Sequence, residues 1–309
     1  MESIRLWNGR VVPRIGVGCW AIGGADYGDT LDQESLAGLR LAYEMGARVF
    51  DTAIAYGKGR SERIVGQAFG DRDDVVIVTK FGQPADRLSA GLIRASIELS
   101  RAHLRRDRID LALFHLNGYP PGDAGFVFDT LGELRAKGWI DSFGWSTDSV
   151  VSAKAFADRD GFVAVENDFN VFDQARDMMS FVERSDLLSL CRLPLAMGLL
   201  SGKYNQGQAV SSGDVRASHA EWLRFFKDGK ANPDFARRLE AIRALLTIGG
   251  RTLAQGALSW ILARSPNALP VPGFKTEAQI RDNLGTLSKG PLPEDAMREV
   301  DEVLSRELT

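Results

Sequence analysis

The chain has 309 residues, 44% hydrophobic and 26% charged, a balance that leaves enough apolar mass for a large folded core. The formal net charge is −3, with no basic tail and no stripe of Lys and Arg, which excludes nucleic acid or an anionic membrane as the expected partner. Cys19 and Cys191 are the only cysteines and form no CxxC, so neither a disulfide framework nor a zinc spacing is indicated.

Residues 1–10 carry charges and no apolar segment, unlike a signal peptide, and no apolar run approaches the ~20 residues of a membrane span. A cytoplasmic location is expected. Residues 4–7 and 11–12 flank Asn8-Gly9, a pair that tolerates positive φ at both turn positions and predicts a small hairpin. A short apolar strand follows at 15–18. Further short apolar strands are predicted at 48–52, 75–80, 109–115, 140–146, 162–167, 187–193 and 268–272. Most are apolar on both faces, as buried parallel strands are.

Stretches of helical period separate them. Ser61 is placed to cap a helix burying Ile64, Val65, Ala68 and Phe69, and Ser89 one burying Leu92, Ile93 and Ile97. A helix over 129–137 stops at Gly138, where glycine suits a left-handed terminus. Residues 251–264 bury Leu253, Ala257, Leu258, Ile261 and Leu262. A last helix starts near Pro293 and buries Met297, Val300 and Leu304, with proline tolerated in the first turn. Residues 202–232 break this rhythm, being polar, Gly-containing and weakly periodic. A connection that long is more often functional than idle.

Eight strands alternating with helices predict an α/β fold, a closed (β/α)₈ TIM barrel with a short N-terminal β-hairpin, over residues 1–309 as one domain. An open doubly wound sheet is the competitor, but it would announce a nucleotide site by GxGxxG after its first strand, and Gly16-Val17-Gly18-Cys19-Trp20 does not complete one.

A barrel of this kind places its chemistry past the C-terminal ends of the strands. There stand Asp51 and, five residues on, Tyr56; then Lys80; then His115. Alone, the aspartate reads as a turn residue, the tyrosine as a loop anchor, the lysine as a surface charge and the histidine as a satisfied core group. Together they form a proton-donating set. A phenol has an ordinary pKa near ~10, which an adjacent ammonium lowers. Lys80 is expected to supply that charge and Asp51 to hold it. His115 is expected to donate a hydrogen bond to a substrate carbonyl oxygen, where negative charge develops on hydride arrival. None of the four can donate hydride, so a cofactor is required.

The run Phe50-Asp51-Thr52-Ala53, Tyr56-Gly57, Ser61-Glu62 and Gly66 resembles the signature of the aldo-keto reductases. Ile109-Asp110-Leu111 leading to His115, after Ser96, Glu98, Ser100 and Leu104, resembles that family's second motif, and Val76-Ile77-Val78-Thr79-Lys80 its lysine strand. The resemblance spans residues 3–305. It implies the tetrad Asp51, Tyr56, Lys80 and His115, and NADPH or NADP bound across the rim, with NAD as the other candidate. It further implies contacts from Gly18, Cys19 and Trp20 beside the nicotinamide, and from Ser146 and Thr147 on its carboxamide. Pro194, Leu195, Ala196, Gly198, Lys203 and Arg216 would line the pyrophosphate. Gly273, Lys275, Thr276, Gln279 and Asn283 would hold the adenosine end, with Lys275 on a 2′-phosphate as a point charge. Many members have arginine where Gln279 stands.

Two further departures fall at the nicotinamide. Many members have Gln where Glu166 stands and an aromatic residue where Arg192 stands. Both positions close adjacent strands, so an ion pair between Glu166 and Arg192 beneath the ring is expected. Trp20, residues 53–56, Phe81 and Tyr119 are candidate walls of a pocket for a carbonyl compound or sugar, and the turn-rich residues 116–122 would shape its entrance. The same tetrad can also run in reverse on an alcohol or aldose. Two rivals stand beside this reading. One is a cofactor-holding regulatory protein similar to the potassium-channel β subunits, which carry Asn where this chain has His115. The other is a barrel isomerase or lyase without nicotinamide.

Overall fold

The computed structural model describes residues 2–24, 26–204 and 208–306. Residues 205–207 of the irregular segment, and the first residue of the N-terminal stretch, lie outside them. The expected hairpin is present, pairing Ser3–Arg5 with Val11–Pro13. Only Gly9 of its turn takes positive φ (81°), with Asn8 Oδ1 accepting from the Arg10 amide instead.

The eight barrel strands are β1 (Val17–Gly18), β2 (Val49–Asp51), β3 (Val76–Phe81), β4 (Ile109–Phe114), β5 (Ile140–Ser146), β6 (Phe162–Asp168), β7 (Leu188–Arg192) and β8 (Ala268–Pro270). All pairings between consecutive strands are parallel. The ring closes between first and last strands: Gly16 N donates to Pro270 O (3.0 Å), Gly18 N to Pro272 O (3.0 Å), and Gly18 bridges Gly273. A Cβ on Gly18 would sit 2.6 Å from Val271 O, so only glycine lets the seam close here.

The helices are α1 (Asp32–Glu44), α2 (Arg60–Phe69), α3 (Ala90–Leu104), α4 (Gly125–Ala136), α5 (Val150–Lys154), α6 (Arg176–Arg184), α7 (Pro233–Leu246), α8 (Leu253–Arg264), α9 (Glu277–Lys289) and α10 (Glu294–Arg306). Ser89 caps α3 as expected, accepting from Leu92 N, and Thr252 and Thr276 form capping boxes on α8 and α9. Ser61 does not cap α2, which follows Gly59 at φ 80°.

Alternation along the strands sorts the core into two layers. One set of positions, including Val49, Val76, Val78, Leu111, Leu113, Ala164, Leu188, Leu190 and Leu269, packs within the barrel. Leu6 and Val12 of the hairpin join this cluster and plug its lower end. The alternate positions, including Phe50, Ile77, Ala112, Phe114, Trp145 and Val165, pack with the surrounding helices. Each fully buried side chain of this size contributes roughly 1.5–3 kcal/mol, so register is strongly specified: a slip of one residue would exchange the layers. No helix among the described residues is long and apolar enough to cross a membrane.

A short 3₁₀ stretch, Ala196–Ser201, leads into the irregular segment, which contains a 3₁₀ turn at Val215–Ala217 and a small hairpin of Phe226–Lys227 with Lys230–Ala231. The segment crosses to the loop after β1. Tyr27 bridges Asp214, Val215 N donates to Asp26 O (2.5 Å), and Lys275 Nζ donates to Tyr27 O (2.7 Å).

Candidate active site

The inward rows of the barrel are apolar below and polar at their last turn. Val49 is followed two residues on by Asp51, Val78 by Lys80, Ala164 by Glu166 and Leu190 by Arg192. Side chains two apart on a strand share a face, so each polar group is delivered to the same rim.

Tyr56 reaches this rim from a loop anchored on both sides. Ile54 N donates to Lys80 O (3.2 Å) and Ser61 N to Tyr56 O (3.3 Å). The Ser61 hydroxyl donates to Cys19 O (2.7 Å) and lies 2.8 Å from Thr52 Oγ1. It therefore ties α2 to β1 and β2 rather than capping a helix.

Lys80 sits at the centre and is buried. Its Nζ contacts Asp51 Oδ1 (2.6 Å), Asp51 Oδ2 (2.7 Å), Thr52 O (3.0 Å) and Tyr56 Oη (3.2 Å). Glu166 Oε1 lies 3.4 Å away. Burial disfavours the ammonium, but Asp51 and then Glu166 outweigh it and hold the Lys80 pKa above its ordinary value. Burial pushes Asp51 up to about 7 against the pull of Lys80. Because the ammonium donates to the phenol oxygen, the phenolic hydrogen is left for another acceptor.

The phenol is not acidified as the sequence suggested. Burial raises the Tyr56 pKa above its ordinary value; Lys80 opposes this, while Asp51 and Glu166 reinforce it. Burial is the largest effect, and the two carboxylates beside the ammonium add to it. Tyr56 thus keeps its proton. The His115 ring packs edge-on to Tyr56 with centroids 5.9 Å apart. Burial, then Lys80 and Arg192, push its pKa down to about 3, so the imidazole is neutral at neutral pH.

These groups open onto a cleft of about 1300 Å³. Gly18, Trp20, Asp51, Ser146, Glu166, Arg192, Pro194, Leu195, Gly198, Lys203, Arg216, Gly273, Lys275, Gln279 and Asn283 all line it. Cys19, Thr147, Ala196 and Thr276 do not. Cys19 and Ala196 are fully buried, Thr147 Oγ1 donates to Asn117 O (2.9 Å), and Thr276 caps α9. Arg216 is largely committed: its guanidinium is bidentate on Asp214 (2.8 and 2.6 Å) and donates to Met197 O (2.9 Å) and Tyr204 Oη (2.6 Å). Gln279 Oε1 accepts from the Lys275 and Thr276 amides (2.7 and 3.2 Å).

The expected Glu166–Arg192 pair does not form. Glu166 turns to Lys80, whereas Arg192 Nε donates to Asp168 Oδ1 (2.6 Å), Nη1 to Ser146 Oγ (3.2 Å), and Nη2 pairs with Asp148. Arg224 from the irregular segment joins Asp168 (3.1 Å) and Asp173. Sequence reading missed Asp148 and Asp168, although Asp168 continues the inward row of Ala164 and Glu166 and was within reach of the alternation rule. Phe81 and Tyr119 were misplaced as pocket walls: Phe81 is 1% exposed and Tyr119 packs on Phe114. The aromatic wall is Trp20, stacked on Tyr56 at 5.8 Å, with Tyr27 and Trp222 at 5.0 and 6.2 Å from Trp20.

The chain is thus a (β/α)₈ barrel with a lysine, carboxylate and phenol joined at its C-terminal rim. The family model for the Aldo/keto reductase family matches residues 14–305, and the chain belongs to that family. It is 27% identical over 310 residues to the aldo-keto reductase yakc of Schizosaccharomyces pombe, whose name carries NADP(+), covering 94% of this chain and 88% of that one. It is 28% identical over 309 residues to a probable voltage-gated potassium channel subunit beta of Arabidopsis thaliana, covering 92% and 90%. The solved structure of a glycerol dehydrogenase from Gluconobacter oxydans superposes with a TM-score of 0.82 at 23% identity, covering 99% of this chain and 96% of that one.

Proposed function

We propose that residues 1–309 act as one barrel domain that reduces a small aldehyde, ketone or sugar carbonyl with NADPH, Tyr56 handing the proton to the carbonyl oxygen. The observation that carries this reading is the buried Lys80 ammonium shared between Asp51 and the Tyr56 hydroxyl at 3.2 Å, these two partners lining the cleft. Tyr56 holds its proton, and Lys80 fixes the phenol oxygen so that the O–H points away from the ammonium. A neutral His115 donates a ring N–H to the same carbonyl oxygen, so that charge arriving there is met by two donors. As the phenol gives up its proton, the Lys80 ammonium stabilises the phenolate left behind. In reverse, Tyr56 in its phenolate form takes the proton of an alcohol.

The cleft suits a dinucleotide. His115 Nδ1 and Glu166 Oε2 are buried on it without a hydrogen-bond partner among the described residues, and Lys203, Arg216 and Lys275 supply positive charge further along. When bound, the nicotinamide supplies the hydride. Lys275, with donors to spare beyond Tyr27 O, favours NADP over NAD, as does the name of the yeast relative. The Gluconobacter oxydans neighbour supports the alcohol-oxidising direction.

The channel-subunit relative keeps a regulatory reading alive. A panel of aldehydes, ketones and aldoses followed by nicotinamide absorbance, with NADPH and NADH side by side, tests both. Turnover is expected, with NADPH preferred. Tight cofactor binding with no turnover on any substrate would favour the regulatory reading, and failure to bind either cofactor would revive a barrel isomerase or lyase.

A further inference from the structure

We infer that Glu166 biases the site electrostatically towards the oxidised, positively charged form of its cofactor. The inference rests on the nicotinamide reading above. The Lys80 ammonium is already met by both oxygens of Asp51, at 2.6 and 2.7 Å. Glu166 brings a second carboxylate, with Oε1 3.4 Å from the same nitrogen. A single ammonium faces two carboxyl groups, so the buried cluster has no spare positive charge to offset Glu166. The nearest guanidinium at the rim does not supply one, because Arg192 is pinned between Asp148 and Asp168.

Glu166 is 2% exposed, and its Oε2 has no partner among the described residues although the side chain lines the cleft. An unpartnered buried carboxylate oxygen is costly unless a ligand meets it. The position says which part of a ligand would do so. Hydride must reach a carbonyl carbon whose oxygen lies on Tyr56, and Glu166 is joined to Tyr56 through the single Lys80 nitrogen. Whatever ring delivers the hydride therefore lies beside Glu166. The oxidised ring carries a positive charge, and gaining a hydride, two electrons and one proton, neutralises it. A fixed negative charge beside the ring holds the oxidised form more tightly while leaving the reduced form nearly indifferent. Bound NADPH becomes a stronger reductant than free NADPH, and NADP⁺ becomes a strong product inhibitor of carbonyl reduction. Glu166 is in this sense a positioning residue for charge.

The test is equilibrium binding without substrate. NADP⁺ and NADPH are titrated by calorimetry into the unmutated protein, Glu166→Gln and Glu166→Asp. The glutamine should raise the ratio of the NADP⁺ to the NADPH dissociation constant by roughly tenfold, and the aspartate should largely preserve the ratio. A second neutral variant, Glu166→Met, gives the same readout should the glutamine fail to fold. An unchanged ratio in a folded neutral variant, or equal weakening of both ligands, would overturn the inference. If the unmutated protein binds neither dinucleotide, the functional reading itself fails, a different outcome from an unmoved ratio.

Discussion

Two regions meet at the cleft, and they are made in opposite ways. The rows from β2 to β4 that end in Asp51, Lys80 and His115 stand on fully buried Val and Leu side chains, and each of these three groups is fixed by the strand below it. Among its described residues, the segment from Pro194 to Asn232 has little regular structure and is held by buried Leu199, Leu200, Leu223, Phe225 and Phe226 together with polar ties. These include Asp214 to Arg216, Arg224 to Asp168 and Asp173, and the bridge from Tyr27 to Asp214. It even places Ala196 and Met197 at positive φ (48° and 56°), conformations that side-chain-bearing residues rarely adopt. Chemistry that needs sub-ångström placement sits on the first region, and contacts that need shape sit on the second.

The sharpest way to break this contrast is to remove the central charge of the rigid region. Lys80→Met should lower kcat by about 10³-fold while the dissociation constant for NADPH changes only a few-fold, because the amine acts on the transferring proton. A loss confined to binding would move Lys80 out of the chemical step. His115 sharpens the same point through pH. Its folded value of about 3 lies below the ordinary 6.5, so the unfolded chain takes up a proton that the folded chain refuses. Its contribution to stability is present above pH 6.5 and is lost as pH falls towards 3. His115→Asn should therefore lose less thermal stability between pH 7 and pH 4 than the unmutated protein. Equal losses would show that the imidazole is not held neutral.

The contrast also explains what was legible. Period-two alternation delivers Asp51, Lys80, Glu166 and Arg192 to one rim, and the strand ends needed no structure to be found. Which partner each takes depends on barrel stagger, which the sequence does not print. Glu166 and Arg192 close neighbouring strands, yet Asp168, not Glu166, pairs across from Arg192 in register. Phe81 follows Lys80 and so faces the helices, a consequence of the same alternation that was not drawn. The course of the irregular segment is set by scattered polar and apolar contacts with no period, so nothing in the sequence marks Trp222 as the neighbour of Trp20.

The charge network around Arg192 joins the two regions and gives the next largest effect. Arg192→Gln leaves Asp168 and Asp148 facing each other without their shared cation. It should destabilise the protein by about 1–3 kcal/mol in urea unfolding, less than the roughly 3–5 kcal/mol of breaking a fully buried pair because Asp148 is partly exposed. No change would mean that Arg224 alone satisfies Asp168. At the far end of the cleft, Lys275→Ala should weaken NADPH roughly tenfold and NADH far less, since a lone ammonium on a phosphate acts as a point charge. Equal weakening of the two would assign Lys275 to holding Tyr27 O rather than to a phosphate.

The smallest effect is expected from the most exposed contact. Trp222 is 51% exposed on the lip of the cleft, 6.2 Å from Trp20, which itself stacks on Tyr56. An indole that remains half in water in the free protein has apolar surface to bury when a substrate arrives. Trp222→Ala should raise KM for aromatic aldehydes about three- to tenfold, leave short aliphatic aldehydes nearly unchanged, and alter kcat by less than about twofold. The split between KM and kcat carries the argument: a residue supplied by the irregular segment for shape should touch binding alone. A fall in kcat as large as that in kcat/KM would mean that the segment helps place the reacting atoms, and the division of labour between the two regions would not hold.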